Sequence, residues 1–169
     1  MRSVSRPTGA VDGRFRRMAE RVVPYDLGFP VRWEPNAPDA VLVADDQGRG
    51  ALAQVAHPDD PDQRCVVLRW DGVIHALMGP PNDEARSHHP LYDVGLQDIL
   101  WLGIVRESSL VARLRPMWTR VGEDRHAVPL HYVVVSKECV VEVLAENVDV
   151  FRIAGRPRHA APASFTGDL

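Results

Sequence analysis

The strongest constraint on this chain is its punctuation. From Arg21 to Ile153, short runs of Val, Ile, Leu and aromatic residues are cut repeatedly by clusters of Pro, Gly, Asn and Asp. Runs this short suit strands better than helices, and the turn residues between them supply the reversals that an antiparallel sheet needs. The pattern predicts an α+β domain, mostly antiparallel, folded as a β sandwich or half-open barrel with one main helix. Strands are expected over 21–26, 31–34, 40–44, 50–57, 65–70 and 73–78. The last two should form a hairpin across Asp71-Gly72, because an Asp-Gly pair between β-formers is a strong two-residue turn signal. The apolar run 96–105 fits helix or strand by periodicity, and Gly103 tips it to strand. Ser108 or Ser109 then heads LVARLRPMW, with apolar residues at helical spacing and Pro116 placed to end or kink the helix. A loop over 118–125 leads to three β-branched runs, 130–136, 139–146 and 148–153, which predict an antiparallel meander.

A length of 169 residues fits a single core. We expect one β-rich domain over 21–153, between a flexible arm (1–20, rich in arginine) and a flexible tail (154–169, rich in Pro and Ala). The net charge of −3 provides no basic footprint for nucleic acid, so none is expected as a partner. No run is long and apolar enough to cross a bilayer, and no export segment follows the N-terminal arginines. The expectation is a cytoplasmic protein with no membrane partner. Its two cysteines, Cys65 and Cys139, sit inside apolar runs and are expected to be buried thiols rather than nucleophiles.

Chemistry concentrates in one stretch, GPPNDEARSHHPLYDVG over 79–95. Pro80 and Pro81 must end the strand before them, since neither has an amide hydrogen for a ladder. Asn82 or Asp83 can cap a short turn through Ala85 and Arg86. Asp83, Glu84, His89 and Tyr92 are left as candidates for acid–base work. Further along, Cys139, Val141 and Val143 share one strand face, which puts Glu142 on the other face with Val140 and Leu144. A carboxylate among apolar neighbours is a candidate partner for an imidazole. If the 79–95 loop lies across this strand, His89 and Glu142 can pair, with Tyr92 as a hydrogen-bond donor and His131 close by. The candidate site is therefore Asp83, Glu84, His89, Tyr92, His131 and Glu142. The expected function is non-redox acid–base chemistry on a small-molecule metabolite by a lyase, isomerase or hydrolase.

Two other readings stay open. His88, His89, Asp83 and Glu84, completed by His75, His126 or His131, offer ligand types for zinc or iron, although no established metal-ligand spacing is present. Alternatively the chain is a non-catalytic ligand-binding or protein-interaction module, with Trp33, Trp70, Trp101 and Trp118 lining a pocket or interface. The loop over 57–62, rich in Asp and Pro, lacks the glycine of a calcium loop and reads as solvated. Glycine-rich phosphate loops and the GxSxG signature are absent, so no cofactor is expected.

At GPPNDEA, HPLY and HYVVVSKECVVEVLAENVDV, the chain resembles a group of small bacterial proteins of no assigned activity. They share an Asp-Gly hairpin, a PNDEA…HPLY…GL stretch, a helix started by Ser, and a late hairpin opening with His and containing Glu. The resemblance spans about residues 65–153. It implies relatedness and draws attention to Asn82, Asp83, Glu84, His89, Pro90, Tyr92, His131 and Glu142. The chain departs from the group at the late turn, where Ser136-Lys137-Glu138 replaces a His-Asp pair.

Overall fold

A computed structural model describes residues 19–26, 32–118 and 128–166. Among these residues, nine strands in two antiparallel sheets form the body: β1 (Arg21–Pro24), β2 (Val41–Ala44), β3 (Arg49–Gln54), β4 (Cys65–Asp71), β5 (His75–Gly79), β6 (Leu102–Arg106), β7 (Leu130–Val135), β8 (Val140–Ala145) and β9 (Asn147–Ile153). The first sheet runs β1-β6-β7-β8-β5 and the second β2-β3-β4-β9. Helices α1 (Ser109–Trp118) and α2 (Pro157–Ala163) complete the α+β sandwich, which is not a closed barrel. No helix among the described residues is long and apolar enough to cross a membrane.

Strand alternation builds three apolar layers. Leu52, Leu68 and Trp70 of the second sheet meet Leu102, Tyr132, Val134, Val141 and Val143 of the first, with Trp33 among them. Trp33 and Trp70 are thus core residues, not a pocket lining. The outer face of the second sheet (Ala51, Ala53, Val67) is covered by Ala160 and Ala161 of α2. The expected flexible tail is in this part a docked helix, and the folded unit extends beyond residue 153. Arg49 donates to the carbonyl of Phe165 and lies over its ring, while Arg69 donates to the carbonyl of Ser164. The tail has no strand pattern because it buries small alanines instead of β-branched residues.

Two local expectations fail for one shared reason. β4 already has β3 on one side and β9 on the other, so it has no free edge for β5. The Asp71-Gly72 pair therefore makes a corner between the sheets, not a hairpin, and β5 pairs with β8. The return crossing lies beside it: β9 leaves β7 and β8 for the second sheet, which cuts the expected meander to a two-strand hairpin. Asp71 accepts from the amide of Glu146, and Gly72 has φ +66° with Glu146 pressed against it.

The run 96–105 also divides. Leu96–Asp98 is a 3₁₀ turn, and strand begins only at Leu102. Gly95, at φ +118°, aims the turn so that Leu96 and Ile99 both enter the outer face of the first sheet. Pro116 lies within α1 rather than ending it. The expected loop beyond Trp118, and His126 with it, falls outside the described residues, as do residues 1–18 of the expected arm.

Candidate active site

The third apolar layer places the site. On the outer face of the first sheet, Val105, Val133, Val135 and Val140 are covered by Leu91, Leu96 and Ile99, so the 79–95 stretch lies over β7 and β8. Asn82 starts it by accepting the amide of Ala85 (3.1 Å). Short 3₁₀ turns at Arg86–His88 and Tyr92–Val94 follow. The stretch is pinned by Asp83, whose amide donates to the carbonyl of Lys137 (2.9 Å) and whose Oδ2 accepts from Lys137 Nζ at 2.7 Å. The Lys137 bond holds the Asp83 carboxyl below its usual value and raises the Lys137 ammonium in turn. Lys137 thus anchors the loop.

Within this layer, Glu142 stands opposite Val133 and His131 opposite Leu144 across the β7–β8 ladder. His131 and Glu142 are therefore diagonal neighbours on one face. Glu142 Oε2 lies 2.9 Å from His131 Nε2, close but off the axis of the ring N–H, and Oε1 lies 3.6 Å from His89 Nε2. Both imidazoles are buried, and the Glu142 side chain keeps 19% of its exposure.

The other ring nitrogens fix the proton positions. The amide of Leu91 donates to His89 Nδ1 (3.2 Å), so the neutral ring carries its proton on Nε2, facing Glu142. Ser108 Oγ lies 2.8 Å from His131 Nδ1 and accepts the amide of Val111 (3.1 Å). Its own hydroxyl hydrogen can then go to Nδ1, and in that tautomer the His131 proton is on Nε2, on the side of Glu142. The Nε2 atoms of two imidazoles thus flank one carboxylate. The contact with His131, then that with His89, overcomes the effect of burial and brings the Glu142 carboxyl down to about 2.

The group opens on a cavity of about 390 Å³ between α1 and the 89–91 turn, lined by Glu20, His89, Ser109, Arg113, His131 and Glu142. Glu20 seats its carboxylate on the start of α1, accepting from the Ser109 amide (2.6 Å) and hydroxyl (3.2 Å). Arg113 has no ion-pair partner among the described residues. This leaves it able to meet an anionic group in the cavity.

Of the residues singled out from sequence, the structure joins His89, His131 and Glu142. Asp83 serves as the loop's anchor, Glu84 is exposed, and neither lines the cavity. Tyr92 is half-buried and makes no side-chain hydrogen bond to the pair among the described residues, so the expected donor is missing. Ser108, Glu20 and Arg113 carried no signal beyond helix start, arm and helix surface. Among the described residues, no group of three or more His, Cys, Asp and Glu is arranged to hold a metal ion. Cys65 and Cys139 are buried, and burial raises both thiols. The 57–62 loop buries Asp60 between Arg64 (3.3 Å) and Arg152 (3.1 Å), a self-neutralised cluster and not an open acidic site. No family model, curated protein or solved structure matches the chain.

Proposed function

We propose that this protein is a cytoplasmic enzyme of non-redox acid–base chemistry, a lyase, isomerase or hydrolase acting on a small-molecule metabolite, with no nucleic-acid partner. One observation carries the reading: a single carboxylate, Glu142, stands between the Nε2 atoms of His131 and His89 at the wall of a cavity. A carboxylate that fixes an imidazole's tautomer and stabilises its protonated form is what a histidine base requires. Arg113 gives the cavity a cation for an anionic substrate group. An interaction module would instead hold these side chains apart and expose a contiguous apolar patch. Among the described residues, the exposed large apolar ones are Leu77, Leu100, Met117 and Val128, drawn from different parts of the fold.

The test is turnover of small esters, lactones, hydroxy acids and acids with an epimerisable carbon, by the wild type and by Glu142→Gln. One class should be turned over, insensitive to chelators, with kcat falling roughly 10²- to 10⁴-fold in the variant. Equal rates in the two proteins, or no turnover of any class, would refute the proposal.

A further inference from the structure

β6 ends at Arg106 and α1 begins at Ser109, and the chain turns the corner through Glu107, a non-glycine residue at φ +54°. Ser108 sits at this corner between a strand end and a helix start. Helix capping alone would leave its hydroxyl hydrogen pointing to water. Here its Oγ lies 2.8 Å from His131 Nδ1, within reach for that hydrogen, while Glu142 approaches the far nitrogen of the same ring at 2.9 Å. Hydroxyl, imidazole and carboxylate stand in series, the arrangement by which a serine is activated on unrelated folds. The ring presents Nδ1 to the serine and Nε2 to the acid. A proton relay depends on which groups the two nitrogens face, so either orientation serves.

The surroundings suit a nucleophile. The amide of Val111 donates to Ser108 Oγ, and the positive end of the α1 dipole lies beside it, so both favour negative charge developing on that oxygen. Ser108 also lines a second cavity, about 660 Å³, bounded by Arg106, Ala112, Pro129, Leu130 and His131. His131 and Ser109 line both this space and the cavity that holds Glu142 and His89. A carbonyl compound can enter on the serine side while the carboxylate holds the ring from behind.

We propose that Ser108 is a catalytic nucleophile and that the reaction is acyl transfer to water from a small ester, which deepens the acid–base reading above and rests on it. Ser108 Oγ bonds to the ester carbonyl carbon as its proton passes to His131 Nδ1, with the imidazolium held at Nε2 by Glu142. The bond from that carbon to the alcohol oxygen breaks, and the alcohol leaves with the proton from Nδ1. Water then adds to the acyl carbon and gives a proton to Nδ1. The bond to Oγ breaks, Oγ recovers the proton, and a carboxylic acid departs.

The full chain is treated with phenylmethylsulfonyl fluoride and with an alkyl fluorophosphonate, and the products are read by intact mass and peptide mapping. One adduct per chain on Ser108 is expected. Labelling should be absent in Ser108→Ala and should slow at least 100-fold in Glu142→Gln. Ser108→Asn retains an acceptor for the Val111 amide, so it preserves the cap while removing the nucleophile, and it too should not label. Failure of both reagents to label, or an adduct that persists in Ser108→Asn, overturns the nucleophile. Ester turnover that survives Ser108→Asn but is lost in Glu142→Gln also overturns it, and leaves the acid–base reading standing.

Discussion

Glu142 and His131 meet because the β7–β8 hairpin pairs Glu142 with Val133, which places the carboxylate on a diagonal to His131 and over the same sheet face. A one-residue slip in this register would send Glu142 into the packed layer between the sheets, among Tyr132 and Val143. The register is secured from the inner face, where Tyr132, Val134, Val141 and Val143 are fully buried. Core packing therefore aims the site.

The first prediction concerns acid. The Glu142 carboxyl falls from 4.5 to about 2 on folding, so its contribution to stability is fully present above pH 4.5 and is lost as pH drops through about 2. A shift of this size corresponds to about 3 kcal/mol for a side chain this buried. Urea midpoints measured from pH 6 to pH 2 should fall more steeply for the wild type than for Glu142→Gln. Parallel curves would mean that the ionised carboxylate adds nothing to folding.

How much of this was legible in the sequence depends on what each signal encoded. Alternation in 139–144 put Glu142 opposite the core-facing Val141 and Val143, because side-chain period is a local property of a strand. The proline-rich stretch was recognisable as a loop for equally local reasons. Sheet membership was not: Asp71-Gly72 encodes a reversal of direction, but whether β5 lands beside β4 depends on whether β9 already occupies that edge. Ser108 shows the same limit. Its capping role follows from its neighbours in sequence, whereas its contact with His131 spans 23 residues and exists only once β6 and β7 pair.

The second prediction concerns the anchor. Lys137→Ala removes the cation that bonds Asp83, so amides over 83–89 should exchange faster with deuterium while those of β7 keep their protection. Both partners are part-exposed, so the difference should shrink in 1 M salt. The lowered Asp83 carboxyl makes its share of the stabilisation fade as pH falls through its folded value; the raised Lys137 ammonium makes its share fade as pH rises through its own. Protection should therefore be greatest between these limits. Unchanged exchange over 83–89 in Lys137→Ala would show that the loop is held by its apolar residues alone.

A third prediction ranks two glycines. A Cβ at Gly72 would sit 2.5 Å from Glu146 Cγ, part of a long side chain that can swing away, so Gly72→Ala should cost mainly the strain of its positive φ, about 1 kcal/mol. A Cβ at Gly95 would sit 2.5 Å from the carbonyl oxygen of Val22, backbone that belongs to β1. Gly95→Ala should cost about 3 kcal/mol and displace the turn that carries Leu91 and Leu96. Equilibrium urea unfolding decides the order, and equal losses would mean that β1 yields as easily as a glutamate side chain.

The last prediction tests whether the C-terminal helix belongs to the fold. Ala160 is buried against Ala51, Ala53 and Val67, and in this described core cluster its neighbours are apolar. An aspartate there would have to keep a charge in an apolar layer, take up a proton, or pull α2 off the sheet, and each route costs about 3 kcal/mol or more. Ala160→Asp should therefore lower the urea midpoint sharply, whereas Ala163→Asp, at an exposed position of the same helix, should change it little. Because α2 and the acid–base site cover opposite outer faces of the sandwich, the Ala160 variant should still label at Ser108 while it remains folded. Equal midpoints for the two aspartate variants would show that α2 contributes nothing to holding the second sheet.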